Sequence, residues 1–206
     1  LKQSFDSVVI GRPVEFSENP DITKRAEEII YRAGRLAGFK EIAFQMEPIG
    51  AAHLYHRQTK KRELVLIFDF GGGTLDLSII EVGGKKPPHV IATSGVLIGG
   101  DDLDRRIMRS LLKYFGEGVK VDNNVDFPPE YLDELQSWQT MPELSRPEPL
   151  SHIKRYQKNA SAPETMYALE TLVTRNVGFK LFREIERTKK HLTTSLLAEL
   201  TFHYEH

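Results

Sequence analysis

The sequence predicts an α/β fold with mixed sheets and packed helices. Three observations carry that reading. Short apolar runs at residues 8–10 and 42–46 flank a stretch of helical periodicity, the order of a parallel strand-helix-strand unit. A continuous apolar run, residues 64–68, leads through three glycines into an alternating segment, the order of an antiparallel hairpin. The last third carries apolar residues at helical spacing from Met166 to Leu192.

In chain order, Pro13 ends the first strand, because its nitrogen cannot donate to a ladder. Asn19-Pro20-Asp21 opens a helix, with Asn19 as cap and Pro20 in the first turn. Ile22, Ala26, Ile29, Ile30, Ala33 and Ala37 follow at helical spacing, and Gly38 terminates them. After the second strand, Glu47-Pro48 opens a helix of small residues through Tyr55. Leu75, Leu77 and Ile79 alternate with Asp76, Ser78 and Ile80, as a strand requires. Gly83-Gly84 turns the chain, and residues 90–93 return as a third strand. Gly99-Gly100-Asp101-Asp102 leads into a helix whose buried stripe is Leu103, Ile107, Leu111, Leu112 and Phe115. Residues 122–148 hold seven acidic residues and one basic, with Pro128, Pro129, Pro142 and Pro147. They read as an irregular or partly helical insertion. Met166 to Leu192 reads as one long helix with residues 176–178 as its weak point.

Composition excludes several functions. Among 206 residues, 28 Lys and Arg face 29 Asp and Glu, a net charge of −1. That lacks the basic excess of a nucleic-acid binder, so no nucleic-acid partner is expected. The absence of Cys excludes disulfides, thiolate metal sites and a Cys nucleophile. It fits a reducing cytosol, and a cytoplasmic location is the expectation. The longest unbroken apolar run, residues 64–68, is far short of the ~20 residues of a membrane helix, so no membrane partner is expected. The chain opens on Leu1 without a charged-then-apolar leader, which leads us to expect a piece of a longer protein.

The strongest chemical motif is Asp69-Phe70-Gly71-Gly72-Gly73-Thr74-Leu75-Asp76. Three glycines let backbone N–H groups approach an anion closely, since no Cβ stands in the way. Asp69, at a strand end, can hold waters around Mg²⁺. Thr74 offers a hydroxyl beside a phosphate. The plain alternative is a glycine hairpin with no ligand. Asp69-Phe70-Gly71 also spells a kinase tripeptide, but the His-Arg-Asp loop that kinases need is absent. So is the Gly-Lys-Ser/Thr of a P-loop. His53 and His56 lack further ligands at metal spacing and read as structural. Trp138 reads as packing.

Glu47-Pro48-Ile49-Gly50-Ala51-Ala52, the hairpin from Asp69 to Asp76, then Ile98-Gly99-Gly100-Asp101-Asp102-Leu103-Asp104 occur in that order. Glu186-Arg187-Thr188-Lys189-Lys190-His191-Leu192-Thr193 follows. This series resembles the ATPase domain of the 70-kDa heat-shock chaperone family, in the actin-like ATPase superfamily, and Gly11-Arg12-Pro13 is similar to a divergent bacterial branch of it. The resemblance implies an actin-like, ribonuclease H-like fold, here incomplete. It implies lobe one, second half, for residues 1–60, lobe two, first half, for 61–116, and an upper subdomain for 117–206. It implies ATP or ADP with Mg²⁺ as ligands. Asp69 would organise the metal waters, with Asp76 just outside. Gly71, Gly72, Gly73 and Thr74 would form a phosphate loop, with Thr74 against the γ-phosphate. Glu47 would stand near the attacking water, so Thr74, Glu47 and Asp69 form the catalytic set. Gly99 and Gly100 would approach from the other side, and Glu186, Lys189, Lys190 and Thr193 would frame the adenosine. Those four positions share one helical face, which by itself is also how a solvated ion-pair face looks. Lys190 and Thr193 stand where Arg and Ser are commoner in the family.

The family also uses a first phosphate loop, a catalytic Lys and a late glycine loop, and none lies in these 206 residues. Little turnover is therefore expected of this chain alone. The parent's partners would be nucleotide, co-chaperones and unfolded polypeptide, and unpaired sheet edges would favour self-association. The alternatives are a cell-shape filament protein and a small-molecule kinase of the same superfamily.

Overall fold

A computed structural model describes residues 5–203. The chain divides into two compact units between Gly100 and Asp101.

The first unit begins with β1 (Ser7–Arg12), α1 (Pro20–Leu36), β2 (Glu41–Met46) and α2 (Glu47–His56). β1 and β2 pair in parallel from Ser7↔Glu41 to Arg12↔Met46, as the strand-helix-strand order predicts. Asn19 caps α1 by accepting from Asp21 N at 2.9 Å. Gly38, at φ +99°, ends it in the left-handed region. Gly34 is buried because α1 crosses the sheet there: an added Cβ would lie 2.8 Å from Ile42 Cδ1. Three antiparallel strands follow in the order β3 (Glu63–Phe70), β4 (Leu75–Val82), β5 (His89–Val96). α2 lies on one face of this sheet, where Ala52, Ile80 and Val82 are buried together. His56 serves structure, as expected: its Nδ1 accepts from Gly83 N at 2.9 Å.

β4 reverses the usual sidedness. Asp76, Ser78, Ile80 and Val82 are its buried set, while Leu75, Leu77 and Ile79 lie on the other face. On that outer face β3 presents Leu64, Leu66, Phe68 and Phe70, all exposed. The register sets Leu66 opposite Ile79 and Phe68 opposite Leu77, so the apolar side chains form one continuous surface.

The second unit holds most of α3 (Gly100–Leu111), a short hairpin of β6 (Lys120–Val121) and β7 (Val125–Asp126), then α4 (Pro129–Leu135), α5 (Pro147–Gln157), α6 (Pro163–Thr174) and α7 (Gly178–His191). The expected long helix is two helices, α6 and α7. Asn176 at φ +51° breaks it, and Gly178 starts the second because an added Cβ would lie 2.2 Å from Met141 Sδ. The acidic insertion is ordered. Its apolar residues Phe127, Leu135, Met141 and Leu144 turn into the same core as Met108, Leu169 and Ile185. Trp138, expected to pack, is about half exposed. The unit boundary falls inside the segment 61–116. α2 joins the three-stranded sheet, whereas Met108 and Leu112 of the following helical segment join the helical core.

Candidate functional site

The first unit gathers the residues expected to meet phosphate. The β3–β4 turn is closed by Gly71 N donating to Thr74 O at 2.8 Å. Gly71, Gly72 and Gly73 are exposed. The N–H groups of Gly72 and Gly73 meet no acceptor among the described residues. Backbone donors without Cβ cover are open to close approach by an anion. Gly99 and Gly100 reach this turn from the end of β5. Gly100 N donates to Gly71 O at 3.0 Å. Gly99 lies so close that an added Cβ would stand 2.2 Å from Gly72 O. Any other residue at 99 would push the turn away.

Asp69 and Asp76 face each other in the β3–β4 register. Asp69 is half-buried, and its carboxylate meets no hydrogen-bond or ion-pair partner among the described residues. Asp76 differs. It is 1% exposed, its Oδ1 accepts from Val14 N at 3.0 Å, and its Oδ2 accepts from the Thr74 hydroxyl at 3.1 Å. Asp76 was expected beside the metal shell. In the fold each of its oxygens accepts one hydrogen bond, which ties the turn to the segment after β1. Gly95 makes room for it, with an added Cβ 3.0 Å from Asp76 Oδ1. Glu47 is exposed at the start of α2, with its side chain against Gly11.

In the second unit, Glu186, Lys189 and Lys190 lie on α7, and Thr193 follows its end. Glu186 and Lys190 pair at 2.7 Å in full view of solvent. The hydrogen bond from Lys190 holds the Glu186 carboxyl below its usual range. The Thr193 hydroxyl donates to Lys190 O at 2.7 Å. Lys189 is held differently, by Asp104 Oδ2 on α3 at 2.9 Å. Sequence reasoning quoted Asp104 within its motif without assigning it a part. The only signal was its place one turn beyond Gly100, and a pairing across 85 residues has no local signature.

The mixed α/β units carry a glycine turn with a second glycine pair held against it, and the family that the chain matches implies the class, the actin-like ATPase fold. The family described as Hsp70 protein matches residues 1–137, and the chain belongs to that family. Heat shock 70 kDa protein 7, chloroplastic, from Arabidopsis thaliana is 32% identical over 211 residues, 98% of this chain and 27% of the relative. The stromal 70 kDa heat shock-related protein of Spinacia oleracea is 32% identical over 179 residues, 82% of this chain and 28% of the relative. Chaperone protein DnaK of Prochlorococcus marinus (strain MIT 9515) is 40% identical over 127 residues, 61% of this chain and 19% of the relative. The chain thus spans about a quarter of the length of the curated relatives it matches. The filament and small-molecule-kinase alternatives are not favoured by these relatives. The cytoplasmic expectation is corrected: several relatives carry chloroplastic in their names.

Proposed function

We propose that this chain supplies part of the nucleotide-binding region of an ATP-driven chaperone. The carrying observation is the exposed glycine turn, with two N–H groups that meet no acceptor among the described residues and a glycine pair held against it. The turn would cradle the phosphates of ATP or ADP. Thr74, steadied by Asp76, would set its hydroxyl against the γ-phosphate. Glu47 would orient the attacking water, and catalysis would come mainly from positioning and charge stabilisation. Asp69 suits Mg²⁺, because a half-buried carboxylate with no protein partner among the described residues keeps its hard oxygen donors available. When bound there through waters, Mg²⁺ would neutralise phosphate charge. Glu186, Lys189, Lys190 and Thr193 would frame the adenosine.

Residues 1–60 would belong to one lobe of the parent, 61–116 to the start of the other, and 117–206 to its upper subdomain. Co-chaperones and unfolded polypeptide would engage the parent. The open apolar face of β3 and β4 supports self-association of this chain, which sedimentation over a concentration series would detect.

Calorimetry of the whole chain with Mg²⁺ and ATP, ADP or tripolyphosphate tests the reading. Binding of all three is expected. Gly99→Ala should weaken all three at least about tenfold, a loss of about 1.4 kcal/mol. Thr74→Ala should weaken ATP more than ADP. Absence of nucleotide binding, or undiminished binding by Gly99→Ala, would overturn the reading.

A further inference from the structure

α7 carries two neighbouring lysines that are held in opposite ways. Lys190 pairs with Glu186 on its own helix, and their side chains are 70% and 48% exposed. Lys189 pairs with Asp104 on a different helix, and those side chains are 21% and 12% exposed. A lysine stem is flexible and its ammonium strongly hydrated, so an unheld lysine contributes little geometry to a site. An ammonium held by a shielded carboxylate cannot leave without stranding that charge. We propose that Asp104 is a positioning residue, which fixes the ammonium of Lys189 for the nucleoside side of the ligand. This rests on the nucleotide reading given above.

Asp104 bears a second mark of that role. Its Oδ1 is buried and meets no hydrogen-bond partner among the described residues. A group left unsatisfied in this way is poor economy for packing alone and points to another use. The carboxylate gives one oxygen to Lys189 and keeps its charge beside that ammonium. Ordering the side chain before the ligand arrives removes part of the cost of ordering it on binding. Lys190, with its exposed local partner, has no such preorganisation.

The experiment compares the whole chain with Asp104→Asn, Lys189→Gln and the double variant. Each is titrated with ADP and with tripolyphosphate, and the melting temperature is recorded without ligand. Asp104→Asn and Lys189→Gln should each weaken ADP about tenfold and leave tripolyphosphate within about twofold. The double variant should be no weaker than Lys189→Gln alone, because Asp104 acts through Lys189. Unchanged ADP affinity in Asp104→Asn, or an equal loss for both ligands, would overturn the assignment. If Asp104→Asn does not fold, Asp104→Leu/Lys189→Met removes both charges together and is compared with Lys189→Met. Equal ADP affinity supports the assignment, and a further loss of threefold or more overturns it. If the unaltered chain binds tripolyphosphate but not ADP, the nucleoside side of the reading fails and takes this inference with it. If it binds neither, the whole nucleotide reading fails.

Discussion

The two units bury their apolar residues on very different terms. From Asp101 onward, eighteen described residues join one buried cluster, drawn from every helix of the unit and from β6. Up to Gly100, the cluster on the three-stranded sheet has three, Ala52, Ile80 and Val82. The difference follows from layers. Helices can wrap one another until every apolar stripe is covered, whereas a sheet has two faces and needs a layer on each. Here α2 covers one face, and Leu66 and Phe68 on the other are 64% and 63% exposed. The glycine turn therefore stands on the less buried unit. Its geometry is kept by hydrogen bonds and glycine contacts more than by hydrophobic burial.

The largest expected effect tests that contrast directly. Leu169→Ala, at a site with no solvent exposure, should cost about 2–5 kcal/mol through lost transfer energy and a residual cavity. Phe68→Ala, on the open face, should stay within about 0.5 kcal/mol. Denaturant unfolding of each variant measures both, and Trp138, the sole tryptophan, reports on the second unit. Were Phe68→Ala as costly as Leu169→Ala, that face would be covered in solution. The cost would then depend on protein concentration.

Next comes the polar substitute for burial in the first unit. Asp76 ties β4 to the segment leaving β1 through Val14 N and holds Thr74 with its other oxygen. Asp76→Ala strands a buried N–H and should cost about 1–3 kcal/mol. Hydrogen exchange at the Val14 amide should quicken accordingly. If it does not, the Val14 contact is not part of what keeps the turn in place.

Much of this arrangement was legible in the sequence, and the reasons for the rest are physical. Pro13, Asn19, Gly38 and the glycine triplet mark ends and turns because each acts within a few residues. The parallel pairing of β1 with β2 followed from the helix between them. The sidedness of β4 did not follow, since Leu75 and Leu77 look inward-facing until the position of α2 is known. The core of the second unit was hidden by composition. Seven acidic residues drew attention to charge, while Phe127, Leu135 and Met141 among them did the packing. Of the candidate site, the turn and the glycine pair were legible. The Val14 contact of Asp76 and the Asp104 contact of Lys189 were not, because they span 62 and 85 residues.

A smaller effect probes the helical unit by pH. Tyr131 is buried beside Phe127 and Tyr156 and shares a 2.8 Å hydrogen bond with His152. Burial raises its pKa above the ordinary 10.0, helped by Tyr156, Glu130 and Glu148. A raised pKa means that the folded state holds this proton more tightly than the unfolded chain. The stability it contributes is complete below the ordinary value and is lost as pH climbs through the folded one. Unfolding followed from pH 9 to 11 should show that decline. Tyr131→Phe should remove this part of the decline, at a cost near neutral pH of about 1 kcal/mol for the lost hydrogen bond.

The smallest effect concerns a residue whose expected part lies with the ligand and not the fold. Glu186 has its pKa lowered by the hydrogen bond from Lys190, with both groups in water. A lowered pKa contributes stability above the ordinary 4.5, lost as pH falls through the folded value. Solvent and salt screen such a pair, and the two side chains lose freedom to form it. Glu186→Gln should therefore leave the denaturant midpoint of the second unit where it was, from pH 7 down to pH 4. If Glu186 frames the adenosine, the same variant should weaken ADP binding while sparing tripolyphosphate. A shifted midpoint with unchanged ADP affinity would reverse the assignment. Glu186 would then belong to the framework of α7, and the nucleoside side would rest on the Lys189 pair.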